Sequence, residues 1–385
     1  MRVTSEYSRP RVACIVGTRP NFVKMASLIT EFQQRGNFDA LLIHTGQHFS
    51  PEMSKVFFDD LELPLPDIHL GAGGGTATQQ TVGIMRELER TFASTRPSLV
   101  LVVGDVTSTL SAALTAAQMR IPVAHVEAGL RSFDRGMPEE LNRIVTDAIS
   151  DYLFVSEQSG VTNLLAEGAD PGRIYSVGNV MIDTLLRFRT KAGLSRILSG
   201  FGLAPGSYAV ATLHRPSNVD DPLRLAEMVK GLTEISRLVP VVFPVHPRTR
   251  KRIDEFGVCL EHLILSEPLG YLDFLHLMSN ASLMITDSGG IQEETTILGI
   301  PCLTARENTE RPITITHGTN RLVGVNSAEI AAAARQVLTG TKPRMAAPDL
   351  WDGHASERIA NILEQKLCCF PDADVSSRCV AAVSQ

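Results

Sequence analysis

Three acidic residues stand where short apolar runs give out. Asp105 closes Leu99-Val100-Leu101-Val102-Val103-Gly104, and Glu127 closes Pro122-Val123-Ala124-His125-Val126. Glu139 lies at the mouth of a helix that opens Met137-Pro138-Glu139-Glu140. The crevice beyond the carboxyl ends of parallel strands is where open α/β sheets bind ligands. Carboxyl groups gathered there drive one another's pKa values apart, so that one gives a proton while another takes one. The pattern predicts proton-transfer chemistry. Plainer roles compete with it. Asp105 precedes Val106-Thr107-Ser108 and can simply cap the next helix. Glu139 can be a favourable charge at a helix N-terminus. Glu127, before Ala128-Gly129, is harder to explain by packing.

The second half carries groups suited to an anion. Thr286-Asp287-Ser288-Gly289-Gly290-Ile291-Gln292-Glu293-Glu294 runs from a strand through a small-residue turn into a helix. The N–H groups of that turn and the Ser288 hydroxyl can hold a diphosphate against the helix dipole. Glu294, one turn in, can accept from ribose hydroxyls, and Arg311 of Glu310-Arg311-Pro312 can reach the same phosphates or the cleft. His214 in Leu213-His214-Arg215-Pro216 and His246 in Val245-His246-Pro247-Arg248 end successive strands, as acid/base groups or phosphate partners. In the first half, Gly17-Thr18-Arg19-Pro20-Asn21-Phe22-Val23-Lys24 brings Arg19 and Lys24 to a helix N-terminus. It lacks the G-K-[ST] ending of a P-loop. Carboxyl groups in one half and a phosphate cradle in the other predict an enzyme acting on a nucleotide-linked sugar.

Other motifs carry less. His44 and His48 are four apart, but on a strand-to-loop segment, so they are expected to line the cleft and not to bind a metal. Gly71-Ala72-Gly73-Gly74-Gly75-Thr76 is expected to be a mobile loop at the cleft edge. It lacks the flanking elements and the later acid of a dinucleotide fingerprint.

Apolar runs alternate with amphipathic segments through most of the chain. The first half predicts strands at Val12 to Val16, Asp39 to His44, Leu99 to Val103, Val123 to Val126, Tyr152 to Val155 and Ile174 to Val177. Helices fall between them, as at Phe22 to Gln34 and Ser108 to Met119. After a basic break around Leu185 to Ser207 the series restarts. Strands are expected near Tyr208 to Leu213, Val241 to Val245, Leu263 to Leu265, Leu283 to Thr286 and Cys302 to Thr304, with helices at Pro222 to Leu238 and Tyr271 to Ser279. This predicts an α/β chain of two Rossmann-like domains facing across a cleft. The expected bounds are 11–185 and 186–350, then a helix in 351–370 folding back on the first domain and a disordered tail at 371–385. In the helix after Pro138, Leu141, Ile144, Val145, Ala148 and Ile149 predict the buried face, with Glu139 and Arg143 pairing on the other.

The chain has 385 residues, 44% of them hydrophobic and 20% charged, with net charge −6. No basic stripe suggests nucleic acid, and no apolar run is long enough to span a membrane. Cys14, Cys259, Cys302, Cys368, Cys369 and Cys379 form no C-x-x-C pair, which fits a reducing cytoplasm. Cys14 and Cys302 are expected to be inert core residues.

These stretches together resemble the non-hydrolysing UDP-N-acetylglucosamine 2-epimerases. The matching segments are GTRPNFVK, HTGQH, GDVTSTL, HVEAGLRSFDRGMPEELNR, VGNVMIDTL, LHRPSNVDDP, PVHPRTR and DSGGIQEE…RENTERP, in family order from Arg11 to about Leu367. The resemblance implies a GT-B-like glycosyltransferase architecture with UDP held mainly by the second domain. It implies interconversion of UDP-GlcNAc and UDP-ManNAc by a homodimer without a redox cofactor. By resemblance, Asp105, Glu127, Glu139 and His214 are the catalytic set. Arg19, Phe274, Ser288, Gly289, Gly290, Glu294 and Arg311 are ligand contacts, with Lys24 and His246 beside them. Arg215-Pro216-Ser217 stands where many bacterial members have Arg-Arg-Glu, and Leu269 where the family has glutamine. Both departures bear on the activation by UDP-GlcNAc known in some relatives. Similar enzymes act on UDP-2,3-diacetamido glucuronic acid. A hydrolysing epimerase, an inverting glycosyltransferase and a non-catalytic sensor are the rival readings. The segment Pro138-Glu139-Glu140-Leu141-Asn142-Arg143 argues against the first, and the three cleft carboxyls against the last.

Overall fold

The computed structural model describes residues 9–47, 51–340 and 346–367. The first sheet is built from β1 (Arg11–Val16), β2 (Asp39–His44), β3 (Ile68–His69), β4 (Leu99–Val103), β5 (Val123–Val126), β6 (Tyr152–Val155) and β7 (Ile174–Ser176). Between and after them run α1 (Arg19–Arg35), α2 (Pro51–Asp60), α3 (Ala77–Thr95), α4 (Thr107–Gln118), α5 (Pro138–Ile149), α6 (Gln158–Ala166) and α7 (Val180–Ala192). The second sheet follows α8 (Ile197–Phe201) and comprises β8 (Ala209–Thr212), β9 (Val241–Pro244), β10 (Leu263–Ser266), β11 (Leu283–Thr286), β12 (Cys302–Thr304) and β13 (Asn320–Leu322). Its helices are α9 (Pro216–Val219), α10 (Pro222–Ser236), α11 (Pro247–Phe256), α12 (Tyr271–Ser279), α13 (Gly289–Leu298), α14 (Ile313–Thr316) and α15 (Ser327–Thr339), and α16 (Ala355–Leu367) ends the described chain.

Strand order is β3-β2-β1-β4-β5-β6-β7 in one sheet and β10-β9-β8-β11-β12-β13 in the other, with every pairing parallel. Each series starts mid-sheet and winds outward both ways. Each sheet therefore has a switch point, between β1 and β4 and between β8 and β11, where adjacent loops leave in opposite directions and open a crevice. Continuous apolar runs such as Leu99–Val103 are buried along their whole length because helices cover both faces. The expected strands at Asp39–His44, Leu99–Val103, Val123–Val126, Tyr152–Val155, Leu283–Thr286 and Cys302–Thr304 fall on those residues. The unforeseen strands β3 and β13 have two and three residues, too few to show a period.

Helix α7 packs against α1 of the first sheet and α12 and α13 of the second, and runs through the expected boundary at Leu185. One apolar core consequently continues from Val12 and Phe22 through Leu185 and Phe188 to Tyr208 and Met284. Cys14 and Cys302 are buried in it, and burial pushes the Cys302 thiol up to about 12. Among the described residues, no helix is long and apolar enough to cross a membrane. The tail expected at 371–385 lies outside the described residues, as does His48.

Helix α16 lies on α1 and α7, where Ile359, Ala360 and Leu363 are fully buried. Its N-terminus is held by Asp183 of α7, whose carboxylate accepts from Ala355 N at 3.1 Å and Ser356 N at 2.6 Å. Helix N-termini leave such donors without intrahelical partners, so a buried one needs this acceptor. Asp183→Ala is expected to lower unfolding free energy by about 1–3 kcal/mol and to speed amide exchange in residues 355–367. Unchanged exchange there, with unchanged denaturant midpoint, would disprove the anchoring role.

Candidate active site

At the first switch point, Asn21 on the first turn of α1 closes back on the loop before it. Gly17 N and Thr18 N donate to its Oδ1 at 3.3 and 3.2 Å, and its Nδ2 donates to Val103 O at 3.0 Å. The start of α1 is thereby tied to the end of β4. One turn on, buried Lys24 pairs with Glu127. Glu127 leaves β5 with φ +71, a left-handed conformation uncommon for a non-glycine residue, which costs roughly 1 kcal/mol or more. Gly104 (φ +68) makes room, since a Cβ there would lie 2.9 Å from Lys24 Nζ and 3.3 Å from Glu127 Oε2.

Asp105 does not cap the next helix. The cap residue of α4 is Val106, and the Asp105 carboxylate pairs with Arg143 of α5. Burial pushes the Asp105 carboxyl up, but Arg143, then Lys24 and Arg311, outweigh it and hold it below its ordinary value. Helix α5 is also rotated relative to the expected face. Glu140, Arg143, Thr146 and Asp147 are buried, while Leu141 and Val145 are 41% and 39% exposed. Arg143 does not pair with Glu139; it pairs with Glu140 at 2.5 Å and with Asp105. Charge is tolerated inside because each group is saturated. Glu140 also accepts from Ser132 N at 2.9 Å and Phe133 N at 2.8 Å. Asp147 binds His125 Nδ1 at 2.6 Å, Arg131 Nη1 at 2.7 Å and Gly129 N at 3.0 Å. The polar face of α5 thus grips the loops that carry Asp105 and Glu127. The legible signal was the all-polar i, i+3, i+6, i+7 series of those four buried residues.

At the second switch point, buried Asp287 accepts from His214 N at 3.0 Å and Arg215 N at 2.9 Å, and His214 Nδ1 is 3.0 Å from its Oδ1. Burial raises the Asp287 carboxyl, but His214 and these backbone donors bring it below its ordinary value. The His214 and His246 rings lie 5.9 Å apart, and His246 Nδ1 accepts from Arg248 N at the start of α11. Ser288 is the cap residue of α13, which opens on Gly289 and Gly290. A Cβ at Gly289 would stand 2.4 Å from Arg311 Nη1, so the cradle and the arginine are in close contact. Glu294 accepts from Tyr271 OH at 3.1 Å, and burial pushes its carboxyl up to about 8. Phe274 on α12 is half-buried against the apolar core. Arg19 lies over the Phe57 ring at 5.7 Å on the rim of the first sheet.

Arg311 is buried where the two sets of loops meet. Its Nε is 2.8 Å from Glu293 Oε1, its Nη1 2.5 Å from Glu310 Oε1 and its Nη2 3.6 Å from Glu127 Oε1. Arg215 faces Glu310 at 3.3 Å and Glu139 at 3.6 Å. Burial raises Glu310, but Arg311, Arg306, Arg215 and Arg143 hold it well below the carboxylate range. Burial pushes Glu293 and Glu157 up to about 7. Carboxyls poised on both sides of neutrality, beside fixed cations, suit proton transfer coupled to departure of an anion. Sequence reasoning singled out Asp105, Glu127, Glu139, His214 and Arg311, gave Arg143 the wrong partner in Glu139, and missed Glu293, Glu310 and Arg215 as partners.

His44 is not cleft lining. It is fully buried, stacks on His69 at 4.7 Å, accepts from Gly46 N through Nδ1, and is pushed down to about 4 by burial. No group of three or more His, Cys, Asp or Glu residues placed to hold a metal occurs among the described residues. Gly71, Gly73 and Gly74 line, with Gly46, Gln47 and His69, a depression of about 310 Å³.

The family model described as UDP-N-acetylglucosamine 2-epimerase matches residues 30–364. A UDP-N-acetylglucosamine 2-epimerase of Methanocaldococcus jannaschii is 41% identical, over 92% of this chain and 98% of its own. A UDP-2,3-diacetamido-2,3-dideoxy-D-glucuronate 2-epimerase of Pseudomonas aeruginosa is also 41% identical, over 92% of this chain and 99% of its own. The crystal structure of the M. jannaschii enzyme in complex with UDP-GlcNAc and UDP superposes with a TM-score of 0.87 at 41% identity, covering 92% of this chain and 99% of that one. With two parallel sheets meeting at their switch points and a match along nearly its whole length, the chain belongs to the UDP-N-acetylglucosamine 2-epimerase family.

Proposed function

We propose that this chain interconverts UDP-GlcNAc and UDP-ManNAc by inverting C2, without releasing free sugar. The observation that carries the reading is the meeting of Glu127, Asp105 and Glu139 from the first sheet with Arg311, Arg215 and His214 from the second. A C2 proton beside an acetamido group is weakly acidic, so its removal is coupled to loss of UDP from C1. One carboxylate takes the proton, the C2–H electrons become the C1–C2 double bond of a 2-acetamidoglucal, and the C1–O bond breaks toward UDP. A protonated group on the opposite face then returns a proton to C2, and UDP re-adds at C1. Asp105, Glu127, Glu139 and His214 supply this proton chemistry. Arg311 and the Ser288-Gly289-Gly290 turn hold the diphosphate so that it stays to re-add. Glu294 takes the ribose, with Arg19, Lys24, His246 and Phe274 as further contacts.

In this reading 11–185 is the catalytic domain, 186–350 the UDP-binding domain and 351–370 a return onto the first. The enzyme works in the cytoplasm as a homodimer, for which exposed Leu141 and Val145 of α5 offer apolar surface. The P. aeruginosa relative, equally identical, favours a second reading in which the sugar is a UDP-2,3-diacetamido uronic acid.

Proton NMR with UDP-GlcNAc in deuterated water tests the choice. The expected outcome is UDP-ManNAc with deuterium at C2. Turnover only of the diacetamido uronic acid donor selects the second reading, and free ManNAc would refute the non-hydrolysing reaction. Glu127→Gln is expected to lower kcat by about 1,000-fold or more while UDP affinity stays within a few-fold. Lost UDP affinity would refute its catalytic role. Arg311→Lys keeps the charge but not the planar fork, and should raise KM about tenfold. An unchanged KM would remove Arg311 from the diphosphate site.

A further inference from the structure

Glu293 is fully buried on α13 and belongs to neither the carboxyl set nor the nucleotide contacts described above. Its Oε1 takes two neighbours. Asn179 Nδ2 donates to it at 2.9 Å from the N-cap of α7, and Arg311 Nε lies 2.8 Å away. Its Oε2 is buried with no hydrogen-bond partner among the described residues. A buried oxygen left so costs more when charged than when it carries a proton.

The charged groups around it define its options. Arg311 and Glu310 come from the segment before α14, Glu127 from the loop after β5, Lys24 from α1, and Glu294 from the next position of α13. Asn179 and Met181 of α7 are neutral. Arg311 is the cation nearest to Glu293, and Glu310 and Glu127 share it. When Arg311 turns any of its charge toward a diphosphate, Glu293 loses compensation that the rest of the shell does not replace.

We propose that Glu293 is a positioning residue for Arg311, ionised while it grips the guanidinium and protonated when the guanidinium engages a nucleotide diphosphate. The proposal rests on the nucleotide-sugar reading above. Its consequence is that binding the diphosphate takes up a proton. Burial pushes its carboxyl up to about 7 even with Arg311 and Lys24 opposing it, so the uptake falls in the neutral range. The sign follows from linkage. A ligand that favours the protonated form binds tighter at low pH and loses affinity as pH rises through the free protein's pKa.

Isothermal titration of the full-length protein with UDP-GlcNAc at pH 7, in buffers of different ionisation enthalpy, is expected to show uptake of about half a proton. A sugar diphosphate diester does not itself titrate there, so the proton goes to the protein. The affinity of the native protein should fall about tenfold from pH 6 to pH 8. Glu293→Gln, which keeps shape and removes the titration, should bind at the native low-pH affinity across that range with no uptake. A residue that merely supports the fold would not change the pH profile. Uptake that persists in Glu293→Gln, or a native affinity flat from pH 6 to 8, overturns the proposal while leaving the nucleotide-sugar reading standing. Failure of the native protein to bind any UDP-sugar overturns both.

Discussion

The buried guanidinium of Arg311 is the interaction on which the site depends. A lone cation this deep would carry a desolvation penalty of several kcal/mol. Here its three nitrogen positions face Glu293, Glu310 and Glu127, two from the second sheet and one from the first. The second sheet alone supplies the two nearer carboxylates, and Glu127 completes the shell at 3.6 Å only when loops of both sheets stand together. In a low-dielectric interior such a group is also strong toward any anion that reaches it. The same carboxylates that make its burial bearable also fix its place between the two switch points.

The same logic explains the inside face of α5. Packing rules alone would bury Leu141 and Val145 and expose Glu140, Arg143 and Asp147, and the helix does the reverse. The loops it covers bring their own demands. The strand ends at Gly104 and Val126 leave backbone groups and carboxylates that need partners away from water. His125 meets that need by placing Nδ1 on Asp147 and Nε2 2.8 Å from Gly104 O. Arg143 meets it for Asp105, and Glu140 for the turn at Ser132-Phe133. A helix pressed on strand ends follows the polarity of those ends before its own apolar stripe.

The parallel topology sets the rest. Both sheets start mid-sheet, so each presents one switch point, and α7 bridges the two by packing on α1, α12 and α13. Small residues occur where groups must close up: Gly104 beneath the Lys24–Glu127 pair, and Gly289 against Arg311. Larger residues at either point would separate charges that the site brings together.

The sequence by itself determined the architecture and which polar residues stand at the strand ends. Apolar runs of four to six residues between amphipathic segments specify buried parallel strands, and the strands at Leu99–Val103, Val123–Val126 and Leu283–Thr286 were legible to the residue. Asp105, Glu127, His214 and Ser288 were legible as residues just beyond strand carboxyl ends, where open α/β sheets bind ligands. Tertiary structure alone decided the pairings. Arg143 takes Asp105 and Glu140 instead of Glu139; Lys24 takes Glu127; Arg311 takes three carboxylates from segments far apart in the chain. It also decided that His44 is a buried stacking partner of His69 and not a wall of the cleft. The physical reason is range. Periodicity and turn chemistry act between neighbours along the chain, whereas the partner of a buried charge is chosen by desolvation, which depends on what the whole fold brings within a few ångströms.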